Sequence, residues 1–285
     1  MRRISLPPRL VEQAASFASG EQTPAEPRDA ATVLLLRDAA GDGDAGPEAY
    51  LLRRQSSMAF AAGMYVFPGG GVDPRDFEPP GWSGPSPQQW ATALGTDPEH
   101  ASALVCAAVR ETFEESGVLL AGSAAGAVVA DTTGEDWEAD RLALEAHDLA
   151  FSDFLRRRHL VVRSDLLGAW SAWTTPVFEP RRYRTWFFVA ALPQGQRTRD
   201  VSTESDAVAW QPLEAVLAAG DAGEIGLMPP TYVNLLDAAQ HDTVADVLDA
   251  AHERRVEMFM PDLVETDGEP ALTIPASMLD LVERR

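Results

Sequence analysis

The alternation of hydrophobic and polar residues predicts a chain built from both strands and helices. Apolar runs rich in β-branched and aromatic side chains predict strands over residues 32–37, 48–53, 118–120, 184–190 and 206–210. The turn-forming residues 41–47 join the first two strands into a hairpin. Residues 212–219 have the pattern of a helix. With 285 residues, the chain is long enough for a large core in one or two domains.

The helix with the clearest start and stop signals in the sequence begins at Pro98 and ends before Gly117. Asp97 is a suitable N-cap, Pro98 fits the first helical position, and Gly117 fits the residue after the last turn. The helix has a predicted buried stripe formed by Leu104, Ala108, Val109 and Phe113.

Three carboxylates lie in the last turns of this helix, at Glu111, Glu114 and Glu115. Their spacing places all three on one face, where like charges repel each other and the helix dipole is negative. A hard divalent cation with oxygen ligands would offset both effects. The pattern therefore indicates a magnesium or manganese site for phosphate chemistry, and the alternative is a solvated acidic helix end.

A glycine-rich segment lies upstream, where Phe67 and Pro68 precede Gly69, Gly70 and Gly71. Backbone without side chains can approach a metal or a phosphate closely. The segment is not a P-loop, because no Gly-Lys-Ser/Thr follows it.

The glycines and the acidic helix together resemble the Nudix hydrolase signature. That signature is Gly, five residues, Glu, seven residues, then Arg-Glu-hydrophobic-x-Glu-Glu-x-Gly-hydrophobic. The second half is matched by Arg110, Glu111, Glu114, Glu115, Gly117 and Val118, and the leading glycine by Gly70 or Gly71. Thr112 replaces the usual aliphatic residue.

The resemblance is to a split signature. Gly70 precedes Arg110 by 40 positions (110 − 70), whereas the signature has fourteen. The excess, about residues 73–97, has the Pro- and Gly-rich composition of a loop. The first glutamate of the signature therefore has several possible counterparts, which are Asp73, Asp76, Glu78 and Glu99.

An insert at this point is similar to the branch of the family that contains the animal peroxisomal coenzyme A diphosphatases. Arg54, Gly63 and residues 67–70 fit the motif of that branch, but Gln55 and Ala59 replace a small residue and a second arginine. Coenzyme A is therefore one expected substrate. The alternatives are ADP-ribose, NADH or a nucleotide sugar, or a non-catalytic Nudix module that only binds a nucleotide.

The resemblance implies an α/β/α sandwich around a mixed β-sheet with helical additions. It also implies that water attacks one phosphorus of a P–O–P bridge in line, with Mg²⁺ or Mn²⁺ held by Gly70, Glu111, Glu114 and Glu115. Arg110 is expected to orient a glutamate, and a helix glutamate or Glu204 to accept the proton. Substrate contacts are expected from Arg54, Arg182 and Tyr183, since cations bind phosphate and aromatic rings stack on bases.

Composition shifts divide the chain into three predicted parts. Residues 1–29 form a lead-in, and residues 30–225 form the Nudix domain with the insert at about 73–97 and a helical addition at about 121–163. Residues 226–285 form a helical extension packed on the core.

Net charge and targeting signals limit the expected binding partners and the expected cellular location. The net charge of −21 disfavours nucleic acid as a partner but allows a small nucleotide-type substrate at a metal site. The single cysteine, Cys106, excludes an internal disulfide and suits the cytosol. We find no secretory signal, membrane-length apolar run or C-terminal peroxisomal tripeptide, so we expect a cytoplasmic protein. By analogy with Nudix relatives, a homodimer is expected.

Overall fold

The computed structural model describes residues 14, 17, 23–39, 46–55, 61–78, 80–266 and 269–285. The strands are β1 (Arg28–Asp38), β2 (Pro47–Arg54), β3 (Tyr65–Val66), β4 (Gly69–Gly71), β5 (Trp82–Ser83), β6 (Ala121–Gly122), β7 (Val161–Arg163), β8 (Gly168–Thr174), β9 (Tyr183–Ala191), β10 (Ser205–Pro212), β11 (Met258–Phe259), β12 (Leu263–Thr266) and β13 (Glu269–Leu272). The helices are α1 (Pro87–Leu94), α2 (Pro98–Ser116), α3 (Glu135–Glu145), α4 (Phe151–Arg157), α5 (Leu213–Asp221), α6 (Pro229–Ala238), α7 (Val244–His252) and α8 (Leu279–Glu283).

The main sheet is mixed. Its strand order is β10-β2-β1-β9-β8-β11, with β3 paired to β2 and β4 paired to β1. The β1–β9 and β8–β11 pairs are parallel, whereas β1–β2, β2–β10 and β8–β9 are antiparallel. The predicted hairpin of β1 and β2 is therefore confirmed.

Both faces of this sheet are buried. Along β1, Val33 and Leu35 belong to a core cluster that includes helix α2, whereas Leu34 and Leu36 belong to a second cluster that includes helices α5, α6 and α7. Neighbouring residues of a strand point to opposite faces, so helices cover the sheet on both sides. The predicted α/β/α sandwich is confirmed.

Helix α2 has the predicted bounds. The Asp97 carboxylate accepts a hydrogen bond from the main-chain N–H of His100 at 2.9 Å. Gly117 ends the helix with φ of +74°, a left-handed conformation that favours glycine. The predicted stripe is fully buried, and the helix packs against β1 and β4. Tertiary packing thus fixes the acidic end of α2 beside the glycines.

Two local predictions were wrong. Residues 118–120 do not form a strand, and β6 begins immediately after them. The insert is also more ordered than its loop composition indicated, because it contains a 3-10 helix (Pro74–Phe77), β5 and α1. Ser86 and Gln89 cap the start of α1 reciprocally, and Pro87 occupies its first turn. Trp90 then packs into the core, so the prolines start helices here rather than only forming turns.

The C-terminal segment has helices and also strands that the sequence analysis did not anticipate. Helices α6 and α7 pack against β8, and β11 extends the main sheet beyond β8. Strands β12 and β13 form a separate hairpin.

Candidate active site

The C-terminal end of α2 brings three carboxylates into one cleft. Glu111, Glu114 and Glu115 line it together with Gly69–Gly71 and Glu204, and its volume is about 1050 Å³. We refer to this space as the acidic cleft. The helical spacing therefore places the three side chains on one face, as the sequence analysis expected.

Strand β4 holds the glycines against these carboxylates. Gly70 lies opposite Ala31 of β1, and the N–H of Gly69 donates to a Glu115 carboxylate oxygen at 2.8 Å. A Cβ atom on Gly70 would lie only 2.5 Å from the Glu111 carboxylate. A side chain at position 70 would therefore displace the end of the Glu111 side chain from its place beside the backbone.

Arg110 is buried beneath the cleft and is held by Asp76. Its Nε and Nη2 atoms donate to the two carboxylate oxygens of Asp76 at 3.0 and 2.8 Å. Nη2 also donates to the carbonyl of Gly71 at 2.9 Å, and Nη1 donates to Glu111 at 2.7 Å. Only 5% of Arg110 and 3% of Asp76 are exposed. The arginine thus ties the glycine strand, the insert and the acidic helix together.

This contact selects Asp76 among the four possible counterparts of the first signature glutamate. A signal was present in the sequence, since five residues separate Gly70 from Asp76, as in the Gly-five residues-Glu half of the signature. The shorter side chain replaces glutamate at that position.

The electrostatics of the helix face call for a cation. Burial raises the pKa of Glu111 above its usual range, and burial together with the Glu111 charge raises the pKa of Glu115. The same two causes raise the pKa of Glu114 to about 8. Carboxylates that repel each other in a buried site are stabilised when a divalent ion binds them.

The donor set fits a hard divalent ion in chemistry. Among the residues that the structure describes, however, no three His, Cys, Asp or Glu side chains are arranged so that they could hold a metal ion as they stand. Glu111 and Glu114 instead contact Arg110, and Glu115 accepts a hydrogen bond from the N–H of Gly69. Cation binding therefore has to replace some of these contacts.

An apolar cavity of about 450 Å³ adjoins the acidic cleft. The two spaces share Thr32, Arg54, Gly69 and Tyr183 on their linings. The apolar wall includes Phe67, Trp173, Phe178, Phe187, Leu227 and Met228. Sequence reasoning missed most of this wall because its residues come from distant segments and carry no common motif.

The predicted substrate residues divide between these spaces. Arg54 lies at the junction of cleft and cavity and pairs with Glu204 at 3.0 Å, and Tyr183 lines both spaces. Arg182 is not brought to either lining. Its guanidinium donates to the carbonyls of Thr175 and Ala25, which ties the start of β9 to neighbouring backbone. Ala59 lies outside the described residues.

A family model described as the NUDT19 Nudix domain matches residues 87–237, more than half of the chain. The chain belongs to the Nudix hydrolase family. Its glycine strand and Asp76 precede the matched segment, so the structure adds the first half of the split signature to what the family model covers.

Curated relatives and a solved structure agree with this assignment. The acyl-coenzyme A diphosphatase NUDT19 of Gallus gallus is 27% identical, covering 81% of this chain and 72% of that protein. The protein of the same name from Xenopus laevis is 23% identical, covering 81% and 71% respectively. The crystal structure of a Nudix hydrolase from Alicyclobacillus acidocaldarius is 26% identical, covers 79% of this chain and 96% of that one, and superposes with a TM-score of 0.66.

Membership makes this chain a pyrophosphohydrolase of small nucleotide-type substrates, a class that generally uses divalent metal ions. Among the helices that the structure describes, none is long and apolar enough to cross a membrane.

Proposed function

We propose that this Nudix hydrolase cleaves the diphosphate of coenzyme A and acyl-coenzyme A, with Mg²⁺ or Mn²⁺ as its cofactor. The observation that carries the proposal is the apolar cavity that opens directly from the acidic cleft. This pair of spaces suits a diphosphate that joins a nucleotide to a long, weakly polar arm. Coenzyme A has this form, and two of the relatives are named acyl-coenzyme A diphosphatases.

The chain's own residues have distinct roles in this proposal. Glu111, Glu114 and Glu115 would hold the cation, with the Gly70 carbonyl as a further oxygen donor. When bound, the cation neutralises phosphate oxygens and makes water a better nucleophile. Arg110, held by Asp76, keeps Glu111 aligned through its 2.7 Å contact.

Arg54 and Glu204 complete the proposed site. The buried Arg54 Nε atom has no hydrogen-bond partner among the described residues, although Nη2 of Arg54 pairs with Glu204. A substrate phosphate at the junction would satisfy this donor and compete with Glu204 for the guanidinium. Glu204, released from the pair, becomes a candidate proton acceptor beside the helix glutamates.

A substrate panel tests the proposal. The nucleotide products would be separated by chromatography and quantified, with Mg²⁺ and with Mn²⁺, for acyl-coenzyme A, ADP-ribose, NADH and nucleoside triphosphates as substrates. We expect the highest kcat/KM for the coenzyme A substrates. A higher value for ADP-ribose or NADH would move the assignment to that class, and no metal-dependent turnover on any substrate would indicate a binding module.

A matched pair of variants tests the site itself. Glu115→Gln should abolish metal-dependent turnover while preserving the fold, because it removes one negative ligand from the acidic face. Glu257→Gln, at an exposed position outside the cleft, should retain activity. Wild-type turnover in Glu115→Gln would rule out the assigned site.

The domain bounds of 30–225 and 226–285, the cytoplasmic location and the homodimer stay predictions. Light scattering in solution would test the dimer. Expression of residues 30–225 alone would test the boundary, since Leu235 of α6 and Val247 of α7 are buried in the core cluster beneath the sheet.

A further inference from the structure

Two exposed arginines on the lining of the acidic cleft have no side-chain partner among the residues that the structure describes. All 23 basic residues of the chain other than histidine are arginines, and most of those described bind a carboxylate. Arg28 and Arg181 line the cleft, yet neither side chain has a hydrogen bond or ion pair with any residue that the structure describes. In a chain with a net charge of −21, two cleft arginines that contact no carboxylate in the described part of the chain need an explanation.

The sheet places these two arginines side by side. Strands β1 and β9 are parallel with Arg28 opposite Tyr183, and the N–H of Arg28 donates to the carbonyl of Arg182 at 2.9 Å. Arg181 is the preceding residue, so both side chains leave the same end of the strand pair.

Their distance from the carboxylates suits a second anionic group of the substrate. Thr32, four residues along β1 from Arg28, lies opposite Gly69, which holds Glu115. Four strand residues span about 13 Å. An extended arginine side chain and one ribose ring together cover such a distance.

Asp29, which follows Arg28 in the sequence and also lines the cleft, does not neutralise the pair. The Asp29 carboxylate accepts from Arg184 at 2.6 Å and also contacts His100 at 2.9 Å. Asp29 is therefore already engaged, and an anion that enters the cleft meets two available guanidinium groups. Paired arginines match the oxygens of a phosphate monoester better than those of a neutral group.

Building on the proposed function, we infer that Arg28 and Arg181 bind a phosphate monoester on the ribose of the substrate, separate from the diphosphate that is cleaved. Coenzyme A has such a group on the 3′ carbon, and NADPH has one on the 2′ carbon. A phosphate at this position needs its own cations because the carboxylates of α2 would repel it.

The first test compares substrates with and without this phosphate. We expect kcat/KM for coenzyme A to exceed that for dephospho-coenzyme A by about 100-fold, mainly through KM. Arg28→Gln and Arg181→Gln should each reduce the preference to about tenfold, and the double variant should nearly abolish it. Arg157→Gln is the matched control, since Arg157 is an exposed arginine of α4 outside both spaces, and it should keep the full preference.

A second comparison distinguishes the two sources of the phosphate. Preference for NADPH over NADH without preference for coenzyme A over dephospho-coenzyme A would assign the site to a 2′-phosphate. Equal use of both members of each pair by the wild-type enzyme would overturn the inference while leaving the proposed function intact.

Binding without turnover separates the two proposals. Calorimetric titration should show that 3′,5′-ADP binds more tightly than 5′-AMP, and that the difference falls in the double variant and at high ionic strength. If that difference is found in a protein that hydrolyses no coenzyme A substrate, the proposed function fails and the phosphate site stands. Equal affinities would overturn the site.

Discussion

Replacing Asp76 by asparagine should destabilise the fold and disable the active site together. The substitution preserves the size of the side chain but removes the charge that pairs with Arg110. Two hydrogen bonds, of 3.0 and 2.8 Å, join the carboxylate to the guanidinium. The same carboxylate also accepts from the N–H of Asp73 at 2.8 Å, which starts the 3-10 helix of the insert.

The expected size of the effect follows from burial. The Asp76 side chain is 1% exposed and that of Arg110 is 6% exposed, so water cannot replace the lost partner. Breaking one member of a buried ion pair costs about 3–5 kcal/mol. Because Glu111 and Glu114 still face Arg110, the loss should be about 3 kcal/mol, at the lower end of this range. The freed guanidinium should then bind these carboxylates more closely and weaken cation binding.

Urea unfolding measures the loss of stability, and chromatography of the nucleotide products measures the loss of activity. Asp153→Asn is the matched control, because Asp153 forms an exposed ion pair with Arg156 that should contribute less than about 1 kcal/mol. A loss below about 1 kcal/mol for Asp76→Asn, or unchanged metal-dependent kcat/KM, would show that Asp76 does not anchor Arg110. Equal losses in both variants would refute the argument from burial.

The glycine strand, the acidic face and helix α3 each provide a further test. Gly70→Ala should lower activity more than tenfold with little change in thermal stability, since the new Cβ displaces only the end of the Glu111 side chain, and equal activity would contradict the close approach. Metal-free protein should lose stability between about pH 5 and 8, because folded Glu114 keeps its proton up to a pKa of about 8 whereas the unfolded carboxyl releases it near 4.5. Glu114→Gln should therefore reduce the pH dependence of thermal unfolding over this range, and an unchanged profile would refute the cause. Arg141→Leu should cost about 3–5 kcal/mol in urea unfolding, because the buried guanidinium pairs with Glu138 and donates to the Glu114 carbonyl at 2.7 Å, and a near-neutral change would show that these contacts are replaceable.

The features that were predictable depend on neighbouring residues. The bounds of helix α2 could be predicted from Asp97, Pro98 and Gly117, because capping residues act on backbone groups within one turn. The shared face of its carboxylates follows from helical spacing alone. Even the Asp76 position had a signal in its spacing from Gly70, although only the contact with Arg110 distinguishes it from Asp73 or Glu78.

The features that were predicted wrongly from the sequence depend on contacts between distant segments. Loop composition in the insert did not reveal α1, because packing of Trp90 into the core decides whether that segment is helical. Arg182 looked like its neighbours in the sequence, yet its guanidinium binds main-chain carbonyls while Arg181 faces the cleft.

The sequence by itself thus determined the acidic helix face and the glycine segment, since both depend on local spacing, and its resemblance to the Nudix signature indicated the reaction class. Only the tertiary structure decided what surrounds that face. The insert supplies Asp76, the partner of Arg110. Strands β1 and β9 contribute to the wall of the apolar cavity and place side by side Arg28 and Arg181, which have no side-chain partner among the described residues. Their positions are set by sheet pairing and burial, which act between residues far apart in the chain.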